Sequence, residues 1–97
     1  MNVHVALYKW KESVSQEQID QALSEVESLA MKVPGIIEIN TGINTSKYSK
    51  GYSHIILVRG ENQASIDAYR NHPDHARVAK TIDTMEESGI GVDFQTN

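Results

Sequence analysis

The chain has 97 residues, 39% of them hydrophobic and 23% charged, which suffices for one hydrophobic core but not for two. A net charge of −4, with nine Lys and Arg scattered along the chain, argues against a nucleic-acid surface, and no apolar run is long enough to span a membrane. Cysteine is absent, which removes disulfides and thiolate chemistry, and a single cytoplasmic domain over residues 1–97 is the expectation.

The first predicted element is a strand over residues 3–10, "VHVALYKW". Its alternation puts Val3, Val5 and Leu7 on one face and His4, Ala6, Tyr8 and Trp10 on the other. Nothing in "MNVHVALYKW" resembles the apolar core of a signal peptide. Apolar groups on both faces predict a strand covered on both sides.

"SQEQIDQALSEVESLAMKV" follows as an amphipathic helix. Ser15 and Gln18 have capping-box spacing, and Ile19, Ala22, Leu23, Val26, Leu29, Ala30 and Val33 form the apolar stripe. Pro34-Gly35 ends it. Residues 36–43, "IIEINTGI", are rich in β-branched side chains and predict a second strand. The polar run "NTSKYSKGY" reads as a turn, and residues 52–60, "YSHIILVRG", as a third strand. "ENQASIDAYRNHP" predicts a short helix broken at Pro73, whose fixed φ suits the first position of a new one. "DHARVAKTIDTMEE" continues with Val78, Ile82 and Met85 on one side, and "GIGVDFQT" closes the chain as a strand alternating Ile90, Val92 and Phe94.

The order β-α-β-β-α-β predicts an α+β, ferredoxin-like fold: an antiparallel four-stranded sheet with its helices on one face. Such a sheet leaves its second face bare. Val3, Val5 and Leu7 would face water there, so a homodimer formed sheet against sheet is expected.

Four segments then suggest a family. "HVALYKWKE", "KVPGI", "KGYSHIILV" and "AYRNHPDHARV" together resemble the stress-responsive dimeric α/β-barrel (Dabb) domain proteins, and the likeness runs from His4 to Phe94. It extends to the plant olivetolic acid cyclase, which closes a ring on a linear polyketide without a cofactor. The resemblance implies a dimeric α/β barrel with a small-molecule pocket between sheet and helices. It implies a tyrosine–histidine acid–base dyad at Tyr69 and His75. It also sets His4, His54 and His72 at family positions beside a pocket walled by Ala6, Tyr8, Ala22, Leu23 and Val26. Ala22 and Val26 stand where the cyclase carries aromatics, so the same substrate does not follow. Some relatives hold a magnesium-type ion on backbone carbonyls; by position these are Ala30, Val33 and Ile36, with no carboxylate to assist, and no metal or other cofactor is expected.

The chemistry fits the residue types. Histidine titrates near neutrality, and a phenol can donate a hydrogen bond to a developing oxyanion. Each of these residues also has a structural reading: His72 as a backbone-bonding residue before Pro73, His4 and His54 as satisfied core imidazoles, Tyr69 as a core aromatic. Zinc is not expected, because His72 and His75 flank a helix break with no cysteine or suitably spaced carboxylate to complete a site. Three function classes stay open: a small-molecule-binding stress protein, a cofactor-independent cyclase or lyase, and a monooxygenase of the related dimeric α/β-barrel group.

Overall fold

A computed structural model describes residues 1–96. The elements are β1 (Asn2–Trp10), α1 (Gln16–Ser28), β2 (Ile36–Ile43), β3 (His54–Gly60), α2 (Gln63–Asn71), α3 (Pro73–Met85) and β4 (Glu86–Gln95). All strand pairs are antiparallel, in the order β2-β3-β1-β4. This is the ferredoxin-like arrangement that the order of elements predicts. No helix is long and apolar enough to cross a membrane among the described residues.

Local chemistry explains most boundaries. At the start of α1 the Gln18 amide donates to Ser15 Oγ at 3.1 Å, and the Ser15 amide donates back to Gln18 Oε1 at 2.9 Å. The α-helix stops at Ser28, earlier than the apolar stripe suggests, and a 3₁₀ turn over Leu29–Met31 carries the chain onward. The Leu29 carbonyl there accepts from both Lys32 (3.0 Å) and Val33 (3.1 Å), so the tightened turn still buries Leu29 and Val33. Gly35 has φ +86°, and a Cβ on it would collide with Ser65 at the start of α2, so only glycine serves at this turn.

Pro73 is the first residue of α3, and His72 before it is extended, φ −66° and ψ 135°, as a residue preceding proline must be. Two further boundaries differ from expectation. Tyr52 and Ser53 lie outside β3, and α3 gives way at Met85 directly to β4, three residues before the glycine-led alternation begins. The Met85 carbonyl accepts the Lys11 amide at 3.0 Å, which pins that junction to the end of β1.

The two sheet faces are unlike. One is covered: Ala6, Ile39, Ile56 and Val58 join Ile19, Ala22, Leu23, Val26, Ile66, Tyr69, Val78, Ile82 and Met85 in one core. The other has no helix on it. Val5 pairs with Leu57 and Val92, and Leu7 with Ile55 and Ile90, so a block of apolar side chains spans β3, β1 and β4. Ile90, Val92 and Phe94 are 43%, 47% and 49% exposed. Val3 departs from the expected exposure. It is buried, because its register partners are the long side chains Arg59 and Phe94, and Arg59 is held by Glu38 at 2.8 Å.

Candidate functional site

The covered face contains a small cavity. It is lined by His4, Ala6, Tyr8 and Ile56 from the sheet, Val26 from α1, Tyr69 from α2, and His75, Val78, Ala79 and Ile82 from α3. Its volume is about 40 Å³, room for a water or two, or for one small functional group of a larger molecule. A groove of about 230 Å³ shares His4, Ala6 and Tyr8 with it and runs out over Glu86, Gly89, Ile90 and Gly91 of β4. Gly89 and Gly91 pair with Tyr8 and Ala6 on this face, so the groove floor is bare backbone.

The break at Pro73 brings two rings together. Tyr69 sits on the last turns of α2 and His75 on the first turn of α3; their centroids are 4.6 Å apart, edge to face. His4 reaches in from the sheet, 6.4 Å from the Tyr69 ring. Tyr69 is buried as a residue; its hydroxyl has no hydrogen-bond partner among the described residues, and the oxygen itself keeps an opening to the cavity. Burial first, and then the neighbouring Tyr8 phenol, push the Tyr69 hydroxyl far above the ordinary tyrosine range, so it remains a proton donor. Burial, and then the charge of His4, hold the His75 imidazole below the usual histidine value, against an opposing interaction with the Arg70 backbone. Neutral His75 is therefore the dominant form at neutral pH.

His4 carries an arrangement of its own. Its Nδ1 lies 2.6 Å from Asp93 Oδ1, the residue directly across the β1–β4 pair. Arg70 Nη2 donates to both Asp93 oxygens, at 2.8 and 2.7 Å, and stands 2.9 Å from the same Nδ1. Arg70 foremost, and then His4, hold the Asp93 carboxyl below the usual carboxylate range.

Of the residues expected at the pocket, the structure gathers His4, Ala6, Tyr8, Val26, Tyr69 and His75. The others lie elsewhere. Ala22 and Leu23 are core residues of α1 itself and do not line the cavity. His72 caps α3, its Nδ1 accepting the Asp74 amide at 3.1 Å, a role its place before Pro73 allows for. His54 is buried at the far end of β3, where its Nδ1 accepts from Trp10 Nε1 at 2.9 Å and lies 2.8 Å from Ser53 Oγ. Burial lowers the His54 pKa, with Asp20 opposing. Trp10 also stacks on Tyr8, centroids 5.1 Å apart, and so links His54 to the cavity wall. The Val33 carbonyl, one of the three offered as oxygen ligands with those of Ala30 and Ile36, accepts the Ile36 amide at 3.3 Å.

Arg70, Glu86, Gly89, Gly91 and Asp93 were not among the expected site residues. Asp93 had a signal: the alternation Ile90, Val92, Phe94 forces it to the opposite face, the one His4 occupies. Which residue of β1 it meets depends on register, which the strand sequence does not state.

The family model of the stress responsive A/B barrel domain, Dabb, matches residues 3–96, and the chain belongs to that family. Among solved structures it is similar to a protein of Arabidopsis thaliana, with 22% identity, a TM-score of 0.90, and 100% of this chain and 96% of that one covered. It is similar as well to a dimeric ferredoxin-like protein of unknown function from Jannaschia sp. CCS1, with 23% identity, TM-score 0.89, and 98% of each chain covered. A third is hydroxynitrile lyase from Passiflora edulis, with 20% identity, TM-score 0.89, and 99% and 93% coverage. These likenesses establish the fold. A comparison with curated proteins finds no match.

Proposed function

We propose that this stress-responsive α/β-barrel protein is a homodimer that binds a small carbonyl- or phenol-bearing molecule between sheet and helices, and that Tyr69 and His75 handle a proton on it without a cofactor. The observation that carries this reading is the Tyr69 hydroxyl, unpaired by protein, open to the cavity and set beside His75. A hydroxyl at a cavity wall takes its hydrogen bond from what enters the cavity, water or ligand. A bound oxygen atom serves.

Size narrows the class. Ligand pockets for drug-sized molecules run to roughly 300–1,000 Å³. The inner cavity of about 40 Å³ takes a carbonyl or hydroxyl, and the adjoining groove of about 230 Å³ takes the remainder, so the molecule is compact. A long polyketide chain is too large for this pair of spaces. The hydroxynitrile lyase among the similar structures supports acid–base chemistry on this scaffold only by analogy of fold.

The homodimer rests on the uncovered apolar face of β3, β1 and β4, and the Jannaschia protein is described as dimeric. An open apolar face of this kind is stable in water when a second copy covers it.

The test pairs binding with chemistry. Ligand-observed NMR with small aryl ketones and phenols should find binders, and proton exchange at the ketone α-carbon should be faster with protein than without. His75→Ala should abolish that exchange while calorimetry finds affinity largely retained, as expected for an interaction made mainly in the transition state. Equal exchange with and without His75, or no binder in the panel, overturns the reading.

A further inference from the structure

We infer that Arg70 and Asp93 fix the tautomer of His4, making its Nε2 a hydrogen-bond acceptor for the ligand beside the His75 base; the ligand-binding part of this inference rests on the acid–base reading above. Two hydrogen-bond acceptors do not lie 2.6 Å apart without a proton between them, so the contact between His4 Nδ1 and Asp93 Oδ1 requires one. It belongs to the imidazole. Arg70 reaches both carboxylate oxygens, at 2.8 and 2.7 Å, and keeps Asp93 ionised and acceptor-only. Arg70 Nη2 can only donate, so at 2.9 Å from a protonated Nδ1 it is not that atom's partner; it serves the carboxylate.

With Nδ1 protonated, neutral His4 carries its lone pair on Nε2. That nitrogen has no hydrogen-bond partner among the described residues, and the ring lines both the cavity and the groove. The ionisable groups around it are Asp93 and Glu86 from β4, Arg70 and Tyr69 from α2, His75 from α3 and Tyr8 from its own strand. Only Asp93 is placed to accept from its Nδ1.

The roles then divide. A proton leaves the acidic carbon or hydroxyl of the ligand for neutral His75. The electron pair stays behind as an enolate or phenolate, whose oxygen takes the Tyr69 O–H as a hydrogen bond. His4 Nε2 accepts a hydrogen bond from a second ligand O–H or a bridging water and so orients the molecule, while the Asp93 carboxylate holds the imidazole by its Nδ1–H. The proton returns from His75 when the product is protonated. Asp93 and Arg70 touch no ligand atom in this scheme; they are positioning residues.

The tautomer is directly measurable without any ligand. Long-range ¹H–¹⁵N correlation spectra of ¹⁵N-labelled protein, with the His4 signals assigned by their loss in His4→Phe, read which ring nitrogen bears the proton. At a pH where the ring is neutral, Nδ1 should be protonated and Nε2 unprotonated. Asp93→Ala should move the ring to the Nε2–H form, and Arg70→Leu should move it partway, since the carboxylate is no longer held by two oxygens. Should Asp93→Ala fail to fold, Asp93→Leu, close in shape and without an acceptor, reads the same shift. An Nε2–H tautomer in the unaltered protein, or one unmoved by loss of the carboxylate, overturns the inference. A tautomer unmoved in Arg70→Leu removes Arg70 from it. Failure of the fragment panel bears only on the function proposed above, since the tautomer does not depend on a ligand.

Discussion

β1 shows two chemistries on one strand. His4, Ala6 and Tyr8 point under the helices and build a cavity in which polar groups converge; Val5 and Leu7 point the other way, among Ile55, Leu57, Ile90 and Val92. The covered face has only a few polar atoms, and their placement decides everything: one hydroxyl without a partner, one imidazole paired to a carboxylate, one imidazole kept neutral. The open face has no such detail. What matters there is apolar area, which is non-directional and indifferent to exact geometry. Function on the first face should therefore be sensitive to single atoms, and on the second to charge and bulk.

The largest effect is expected on the open face. Val5→Asp places a carboxylate at the centre of the proposed interface, and an unpaired charge buried there destabilises the dimer by roughly 3–5 kcal/mol. Light scattering at micromolar concentration should report the monomer mass, and a folded dimer of unchanged mass would refute the interface. Ile56→Ala acts on the opposite face of β3 and should cost about 2–5 kcal/mol of stability through cavity formation, because Ile56 is 3% exposed in the core. Denaturant unfolding measures that loss, and the dimer should persist under native conditions.

Acidification separates the faces next. His75 and His54 both have pKa values lowered mainly by burial. In the unfolded chain they titrate near about 6.5, so the folded state binds fewer protons below that pH. Stability from both groups is complete above about pH 6.5 and declines as pH falls from there through their lower folded values. Thermal melts between pH 8 and 5 should show the decline, and His75→Ala should remove part of its slope. Asp93, also lowered, adds its loss only under more acid conditions, as pH falls through its depressed folded value. The open face has no histidine and should contribute nothing to the neutral-range slope.

The smallest change in stability is expected for Tyr69→Phe. Its hydroxyl has no protein partner, so removal orphans no group, and the melt should shift by less than about 1 kcal/mol. Affinity for a carbonyl or phenol fragment should fall by several-fold, the worth of about one hydrogen bond. Unchanged affinity would show that the ligand's oxygen is bound elsewhere.

Much of this was legible along the chain, for reasons that are local. The capping pair Ser15 and Gln18, the glycine at the turn after Pro34, the break at Pro73 and the period-2 alternation of β1 and β3 each depend on neighbours a few residues away. They suffice for the order of elements, and that order restricts the fold. The family resemblance carried Tyr69, His75 and His4 as well, because their spacing is written in contiguous motifs.

What only the tertiary structure decided depends on register and on where helices lie across the sheet. The pairing of His4 with Asp93 joins residues 89 positions apart, and a one-residue slip would turn Asp93 to the open face. Arg70 reaches that pair only because α2 packs on β3 and β1, the strand beside β4. His54 and His72 look equivalent to His4 and His75 in sequence, yet one is held by Trp10 and Ser53 and the other by the Asp74 amide. The volume of the cavity follows from packing of five elements against one another, and no single segment encodes it. Sequence determined which side chains share a strand face or a helix stripe, because that is set by backbone periodicity; folding decided which of them meet, because contact is a property of distances between segments.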